Sequence, residues 1–229
     1  MSQDLAPQVS EYAEGILKRI DIFNNPYFQQ LRDGSMSLEE FRESQLQFFY
    51  AVDFFSRPMS ALVARIPDSK ARLSILHNIV EEHGDMNSDE FHSITFKQFL
   101  RSLGYEQLDY SKIPIWPQLR AFNGALATAC MLDEIEVGIA CMGIIERSFA
   151  TISVIIADSV IKNGWIKKED LCHYKLHAEL DIKHAADFFV IVEPLWSQPM
   201  KQHFIKQGLE LGAYIFDRLY RDLISYKVK

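Results

Sequence analysis

The chain has 229 residues, of which 48% are hydrophobic and 24% charged, enough to build one domain with a substantial core. Its net charge is −7, and it lacks the basic cluster that phosphate contacts require, so the composition excludes a nucleic-acid-binding protein. The three cysteines (Cys130, Cys141 and Cys172) form no CxxC pair, which argues against a disulfide framework and predicts a cytoplasmic protein.

No targeting segment is expected. Residues 1–10 lack the pattern of a signal peptide. The most apolar stretch, residues 135–161, is interrupted by charged residues and is therefore interpreted as a buried core helix rather than a membrane span.

Helical patterns run through most of the chain, because glycine and proline are sparse and no strand-like alternation persists. We predict a single all-α domain over residues 1–229, with about seven to eight helices. A capping box at Ser37 and Glu40 opens a helix that runs past Phe55 until Pro58 kinks or ends it. Further helices are predicted from Asp68 to near Gly84, over residues 91–103, 119–130, 133–163 and 167–192, and from 199 to about Ser225.

The most informative segment lies in the helix predicted over residues 167–192. His177, Asp181 and His184 stand at relative positions 0, 4 and 7, and at about 100° per residue they share an arc of roughly 60° on one helix face. Two imidazoles and a carboxylate on one face are suited to a transition-metal site inside a helical bundle. The alternative is a solvated polar face.

A metal site needs ligands from other helices as well. Glu146 stands in a strongly apolar helix, where a carboxylate is costly to bury unless it pairs with a cation or binds a metal. His92 and the acidic run before it supply more candidates: Glu81 is favoured as the first acidic ligand, with Glu82 and Asp85 as alternatives. The resulting donor set contains nitrogen and oxygen but no thiolate, which favours two non-haem iron or manganese ions over structural zinc. Its members are Glu81, His92, Glu146, His177, Asp181 and His184.

The order of these residues resembles the haem-oxygenase-like di-iron oxidases, a CADD-like group in the superfamily that also contains the TenA (thiaminase II) and PqqC proteins. The resemblance covers about half of the chain, from Glu81 to Ala185. It implies a haem-oxygenase-like bundle without haem, two iron ions that activate O2 as a co-substrate, and a small organic substrate. By analogy it also implies a homodimer, whereas the charge and the hydrophobic pattern of the chain predict no nucleic-acid or membrane partner.

We hypothesise how these ligands divide between the two ions. Glu81, His92 and His177 would hold one ion, and Glu146, Asp181 and His184 the other. The relatives that build para-aminobenzoate from their own side chains are expected to need a lysine where this chain has Ile156, and a tyrosine where it has His173. These departures argue against that reaction.

Two groups of residues around the site are left with alternatives. His173 is either an outer contact or extra ligand of the metal site, or an exposed residue at the start of its helix. Tyr27 is a second candidate for an outer contact. The aromatic residues expected to line a pocket, or simply to fill the core, are Tyr27, Phe48, Phe49, Tyr50 and Phe54.

Two other functions stay open. A cofactor-independent enzyme of the same fold, of the PqqC or TenA type, would lack the complete ligand set, and the TenA type would use a nucleophilic cysteine such as Cys141. A non-catalytic interaction module would use the acidic surface instead. The sequence does not identify a substrate.

Overall fold

The protein is an all-α bundle. The computed structural model describes residues 7–171 and 173–225, and within them it contains nine α-helices and no strand. The all-α prediction is confirmed, and the helix number exceeds seven to eight because two helices precede Ser37. The helices are α1 (Gln8–Ile20), α2 (Pro26–Asp33), α3 (Leu38–Arg65), α4 (Ala71–Glu82), α5 (His92–Ser102), α6 (Pro117–Met131), α7 (Ile135–Lys162), α8 (His173–Val192) and α9 (Pro199–Ser225).

The apolar helix α7 forms the centre of the bundle and packs against α8 and α9. The helices approach closely because glycines lie at the contacts: a Cβ at Gly143 would come within 2.6 Å of the Phe189 ring, and one at Gly212 within 2.6 Å of the Cys141 carbonyl oxygen. Of the described helices, α7 alone is long and apolar enough to cross a membrane, yet 83% of its most apolar window is buried in the fold. This burial confirms the prediction that residues 135–161 form a core helix.

The helix α3 begins where its capping box predicts. Ser37 Oγ accepts from the Glu40 backbone N–H at 3.2 Å, and the Glu40 carboxylate accepts from the Ser37 N–H at 2.9 Å. Of the two outcomes predicted at Pro58, a kink or an end of the helix, the end is wrong, because α3 continues through Pro58 to Arg65. The turns after the proline bury Met59 and Leu62, and this packing outweighs the one helical hydrogen bond that a proline removes.

Two of the predicted boundaries flank the functional region. Asp68 caps α4 as expected, since its carboxylate accepts from the Ala71 N–H at 2.7 Å. The helix predicted from Lys167 instead starts at His173, after a single 3₁₀ turn over Lys168–Asp170. The late start makes His173 the first residue of α8. Cys172 and residues 1–6, on which two sequence-based expectations partly rest, lie outside the described residues.

Candidate metal centre

The polar stripe of α8 faces the interior of the bundle. His177, Asp181 and His184 are each at most 4% exposed, so the alternative of a solvated face is wrong. His177 Nδ1 donates to Asp181 Oδ1 at 2.8 Å, and His184 Nδ1 lies 3.9 Å from the same oxygen. The stripe thus presents two imidazoles around one buried carboxylate.

The helix α7 adds Glu146 opposite this stripe. Glu146 is 3% exposed, and its Oε1 lies 3.8 Å from His184 Nδ1. The adjacent Arg147 is directed away, with its guanidinium 2.6 Å from Glu14. Glu146 is therefore buried without the neighbouring arginine as an ion-pair partner.

The end of α4 and the start of α5 complete the group. Glu82 Oε1 lies 2.9 Å from His92 Nδ1, and the His92 and His177 rings are 4.5 Å apart. One ligand atom each from Glu82, Glu146 and His184 lies within 4.8 Å of the others, a spacing at which one metal ion can be shared. We call the six residues that the four helices bring together the histidine–carboxylate cluster: Glu82, His92, Glu146, His177, Asp181 and His184.

Glu81, the acidic ligand that the sequence favoured, lies behind the cluster. Its carboxylate contacts His184 Nε2 at 2.9 Å, His77 Nδ1 at 3.0 Å and Lys183 Nζ at 3.1 Å. The inward position belongs to Glu82, one of the two alternatives. Because Glu81 accepts the Nε2–H proton, it leaves His184 Nδ1 directed at the cluster, as an outer carboxylate does for a metal-bound histidine.

The remaining acidic and imidazole candidates of this segment stay outside. Asp85 is exposed and adopts a left-handed backbone conformation with φ of 51°. The His83 ring nitrogen Nδ1 bonds the Ile79 carbonyl oxygen at 2.7 Å. Neither residue joins the cluster.

The cluster leaves buried polar atoms without hydrogen bonds. Native proteins pair nearly all such atoms, because an unpaired one costs about 1–3 kcal/mol. Five cluster atoms lack a hydrogen-bond partner in the structure, and all of them can bind a metal ion. They are His92 Nδ1 (which lies 2.9 Å from Glu82 Oε1 without the alignment of a hydrogen bond), Glu146 Oε1, His177 Nε2, Asp181 Oδ2 and His184 Nδ1.

The electrostatics of the cluster also favour a cation. Burial raises the pKa of Glu146 to about 7 and the pKa of Asp181 well above its usual range. Burial lowers the pKa of His184, but the carboxylates around it outweigh this and raise that pKa to about 10. The carboxylates therefore draw a proton into the cluster, and a divalent cation could take its place. The nitrogen and oxygen donors fit iron or manganese.

A cavity of about 40 Å³ opens onto one side of the cluster, and its polar lining residues there are Glu82, His92, Glu146 and His177. His173 also lines it and is fully buried, so the alternative of an exposed residue is wrong. The other lining residues are apolar: Phe48, Ala51, Val52, Phe55, Phe122, Ile145, Phe149 and Phe216.

The aromatic prediction for this cavity holds only in part. Phe48 lines it, whereas Tyr27, Phe49, Tyr50 and Phe54 are not among its lining residues. Phe122 of α6 and Phe216 of α9 were not predicted as lining residues, because single aromatic residues on distant helices carry no local signal in the sequence. Thr95, whose hydroxyl lies 3.1 Å from His173 Nδ1, was not predicted either, although it stands one helical turn after His92.

Solved structures share this fold. A CADD-like protein of unknown function from Nostoc punctiforme superposes with a TM-score of 0.78 at 14% identity, over 95% of this chain and 96% of that one. A domain of unknown function with a haem-oxygenase-like fold from Shewanella denitrificans gives 0.78 at 13% identity, over 96% and 93%. A TenA homologue from Pseudomonas syringae gives 0.76 at 15% identity, over 96% and 94%. The class is thus a haem-oxygenase-like helical protein.

Sequence comparison identifies the family of this chain within the fold class. The family model described as iron-containing redox enzyme matches residues 42–213, and the chain belongs to this family. A curated relative, the 4-aminobenzoate synthase of Nitrosomonas europaea, is 22% identical over 203 residues, which cover 84% of this chain and 81% of the relative. The matched segment contains all six residues of the histidine–carboxylate cluster.

Proposed function

We propose that the protein is an O2-dependent oxidase or oxygenase that holds two non-haem iron ions in the histidine–carboxylate cluster and acts on a small organic molecule. The observation that carries this proposal is the set of five buried, metal-capable atoms without hydrogen-bond partners, contributed by α5, α7 and α8. Membership of the iron-containing redox enzyme family supports iron as the metal. Manganese has the same ligand preferences and is the alternative ion.

The contacts support a division of the six ligands. Glu82, His92 and His177 lie together on the side where α4 and α5 meet α8, with 2.9 Å between Glu82 and His92. Glu146, Asp181 and His184 would form the other group, with 3.8 Å and 3.9 Å from His184 Nδ1 to the two carboxylates, and Glu82, within 4.8 Å of Glu146 and His184, would stand between the two groups. The division is the one suggested by the sequence, with Glu82 in place of Glu81. When bound, Fe(II) ions would supply the electrons that activate O2.

The rest of the site would position a substrate and keep water away. The cavity places an apolar wall opposite the polar end, and a molecule held there lies beside four of the proposed ligands. Aromatic packing encloses the same end: the Phe149 ring lies 5.3 Å from the His177 ring. An apolar enclosure limits water access to reactive species formed during turnover.

We do not extend the activity in the name of the Nitrosomonas relative to this chain. Ile156, fully buried in α7, occupies the position where the sequence analysis expects a lysine in that group. His173 occupies the position of an expected tyrosine. An isoleucine side chain has no polar atom that could substitute for an amine.

A cofactor-independent enzyme like the TenA proteins is the second candidate. The shared fold is the observation in its favour. The TenA type would need an accessible cysteine. Cys130 and Cys141 are buried and do not line the cavity, and burial raises the pKa of the Cys130 thiol to about 12 and that of Cys141 well above its usual range. The described cysteines therefore do not support this candidate. Homodimerisation, a cytoplasmic location and the lack of nucleic-acid or membrane partners stay predictions.

Anaerobic titration with Fe(II) tests the proposal. The wild type should saturate near two equivalents, and His177→Ala or Glu146→Ala should lose most of this binding. His83→Ala is the matched control, because His83 comes directly after Glu82 but bonds a backbone carbonyl, and it should bind iron like the wild type. At a free-iron concentration of 100 times Kd, the wild type should gain about 2.7 kcal/mol per site, or roughly 5–10 °C in Tm.

Two results would contradict the proposal. One is a wild type that binds no iron under these conditions, which would favour the cofactor-independent candidate. The other is unchanged stoichiometry in both alanine variants. O2 consumption by the iron-loaded wild type, measured across fatty acids, amino acids and aromatic compounds, then distinguishes an oxidase from a non-catalytic interaction module.

A further inference from the structure

The wall of the cavity restricts what it can bind. Apart from its polar end and His173, every lining residue is apolar, and no lysine or arginine is among the described residues that form it. Transferring an ionised group into such surroundings is unfavourable unless a counter-charge meets it. The apolar wall therefore suits a largely apolar body, and any polar group on that molecule must find its partner at the end formed by His173 and the proposed metal ligands.

The hydrogen bonds around His173 determine which of its nitrogens carries the proton. Thr95 Oγ1 donates its only proton to the His92 carbonyl oxygen at 3.0 Å. The same Oγ1 lies 3.1 Å from His173 Nδ1 and can therefore only accept from it. Both hydrogen bonds of Thr95 can form together only when His173 is protonated on Nδ1, and this tautomer leaves a lone pair on Nε2.

That lone pair has no partner in the protein. His173 is fully buried, and its Nε2 makes no hydrogen bond. Because the residue lines the cavity, a molecule in the cavity is the available donor. A buried acceptor without a donor is costly, so a ligand that supplies one gains affinity.

His173 also differs from the three imidazoles of the cluster. His92, His177 and His184 each have a carboxylate oxygen within 3.0 Å. Among the described side chains no carboxylate lies within 4 Å of His173, and its ring instead contacts the rings of Phe96 at 4.8 Å and Tyr174 at 5.3 Å. These surroundings are those of a substrate-binding group rather than a metal ligand.

We propose that the substrate has an apolar body and a hydroxyl or amino group, and that this group donates a hydrogen bond to His173 Nε2. The inference rests on the proposed function and narrows its substrate class. His173 would hold the polar group beside His177, whose ring lies 4.3 Å away, so that the reacting part of the molecule meets the proposed iron ligands.

A matched pair of ligands tests this inference: 4-ethylphenol, which has the donor, and 4-ethylanisole, in which a methyl group replaces the proton. Calorimetric Kd values would be measured anaerobically on both the metal-free and the Fe(II)-loaded protein. In both forms of the wild type we expect the phenol to bind about 10-fold more tightly than the ether. In His173→Phe the ratio should fall below about 2-fold, with ether binding retained.

Two further variants control the result. Thr95→Val frees the tautomer of His173 and should reduce the ratio by about 3-fold, even if His173→Phe folds poorly. His83→Phe replaces a histidine outside the cavity and should leave the ratio unchanged. The iron stoichiometry of His173→Phe should equal that of the wild type.

Several outcomes would overturn the inference. They are a wild type that binds the two ligands equally or binds neither, a ratio that survives in both His173→Phe and Thr95→Val, and the loss of an iron equivalent in His173→Phe, which would make His173 a ligand. Failure of the proposed function appears separately, as a wild type that takes up no iron. The ligand ratio of the metal-free protein does not depend on that result.

Discussion

Two groups of buried polar side chains in this bundle differ in their hydrogen bonding. The polar atoms of the first group are paired with one another, whereas several polar atoms of the second have no hydrogen bond. The first, the tyrosine network, consists of Tyr27, Ser44, Gln45 and Tyr174. Gln45 Nε2 donates to the Tyr27 hydroxyl at 2.8 Å, Tyr27 and Ser44 bond at 2.6 Å, and the Tyr174 hydroxyl donates to Gln45 Oε1. The second is the histidine–carboxylate cluster, which contains five unpaired polar atoms.

The comparison separates burial from function. Tyr174 and His177 are both buried and stand three residues apart on α8, so neither depth nor helix position distinguishes them. The difference lies in hydrogen bonding: the polar groups of the network bond to one another, whereas five residues of the cluster each leave one polar atom without a hydrogen bond. A satisfied group stabilises the fold, and an unsatisfied group that persists at such a cost indicates a ligand.

The largest expected effect is a loss of stability when the tyrosine network is broken. Gln45→Leu leaves the Tyr174 hydroxyl without its acceptor and Tyr27 without a donor, which should cost about 2–5 kcal/mol of stability. Tm should fall by on the order of 10 °C, while the iron stoichiometry stays at the wild-type value. Gln29→Leu, at an exposed position on α2, is the control and should change stability by less than about 0.5 kcal/mol. Thermal melting and Fe(II) titration measure both quantities, and loss of iron in folded Gln45→Leu would remove the distinction between the two groups.

A smaller effect, on iron binding, should show which glutamate at the end of α4 binds the metal directly. Glu81→Gln should keep two equivalents of Fe(II) but weaken binding by about 10–100-fold, because an outer carboxylate orients its histidine without touching the metal. Glu82→Gln should instead lower the stoichiometry. Glu90→Gln, at an exposed position beyond α4, should bind iron like the wild type. The opposite pattern, with one equivalent lost in Glu81→Gln alone, would make Glu81 the ligand.

The choice between these two neighbours shows where the sequence stops being sufficient. Adjacent helical residues point about 100° apart, so the ligand depends on which face of α4 is buried. Hydrophobicity alone would place Leu73 and Leu76 on the buried face of α4, but these side chains are 63% and 42% exposed. The buried stripe is instead Ile75, Asn78 and Glu82, in which two of three residues are polar. A hydrophobicity pattern cannot identify a face that is buried for its polar groups.

Other parts of the protein were predictable because their signals are local. The capping box at Ser37 and the long apolar run of α7 each depend on a single segment, and both predictions agree with the structure. The position of His177, Asp181 and His184 on one face of α8 was predictable from the helical period alone. The start of α8, the continuation of α3 through Pro58 and the walls of the cavity depend on contacts between distant helices, which no local pattern encodes.

The smallest effect concerns two buried glutamates of α7. Glu136 is paired with Lys201 at 2.6 Å, whereas Glu146 has no cationic partner apart from His184 among the described residues of the cluster. In the metal-free protein the pKa of Glu146 is raised from 4.5 to about 7 by burial. Between these two pH values the unfolded chain has released a proton that the folded chain retains, so stability falls as the pH rises.

Glu146→Leu removes this penalty. The metal-free variant should be more stable than the wild type by about 1–3 kcal/mol above pH 7, and the gap should close as the pH falls toward 4.5. Glu136→Leu should have the opposite sign, because it leaves the Lys201 ammonium without its partner. Denaturant unfolding between pH 4.5 and 7.5 measures both gaps. A Glu146→Leu variant that is less stable at neutral pH would mean that the cluster is a structural ion-pair network like the Glu136 pair, and that its unpaired atoms need another explanation than a metal.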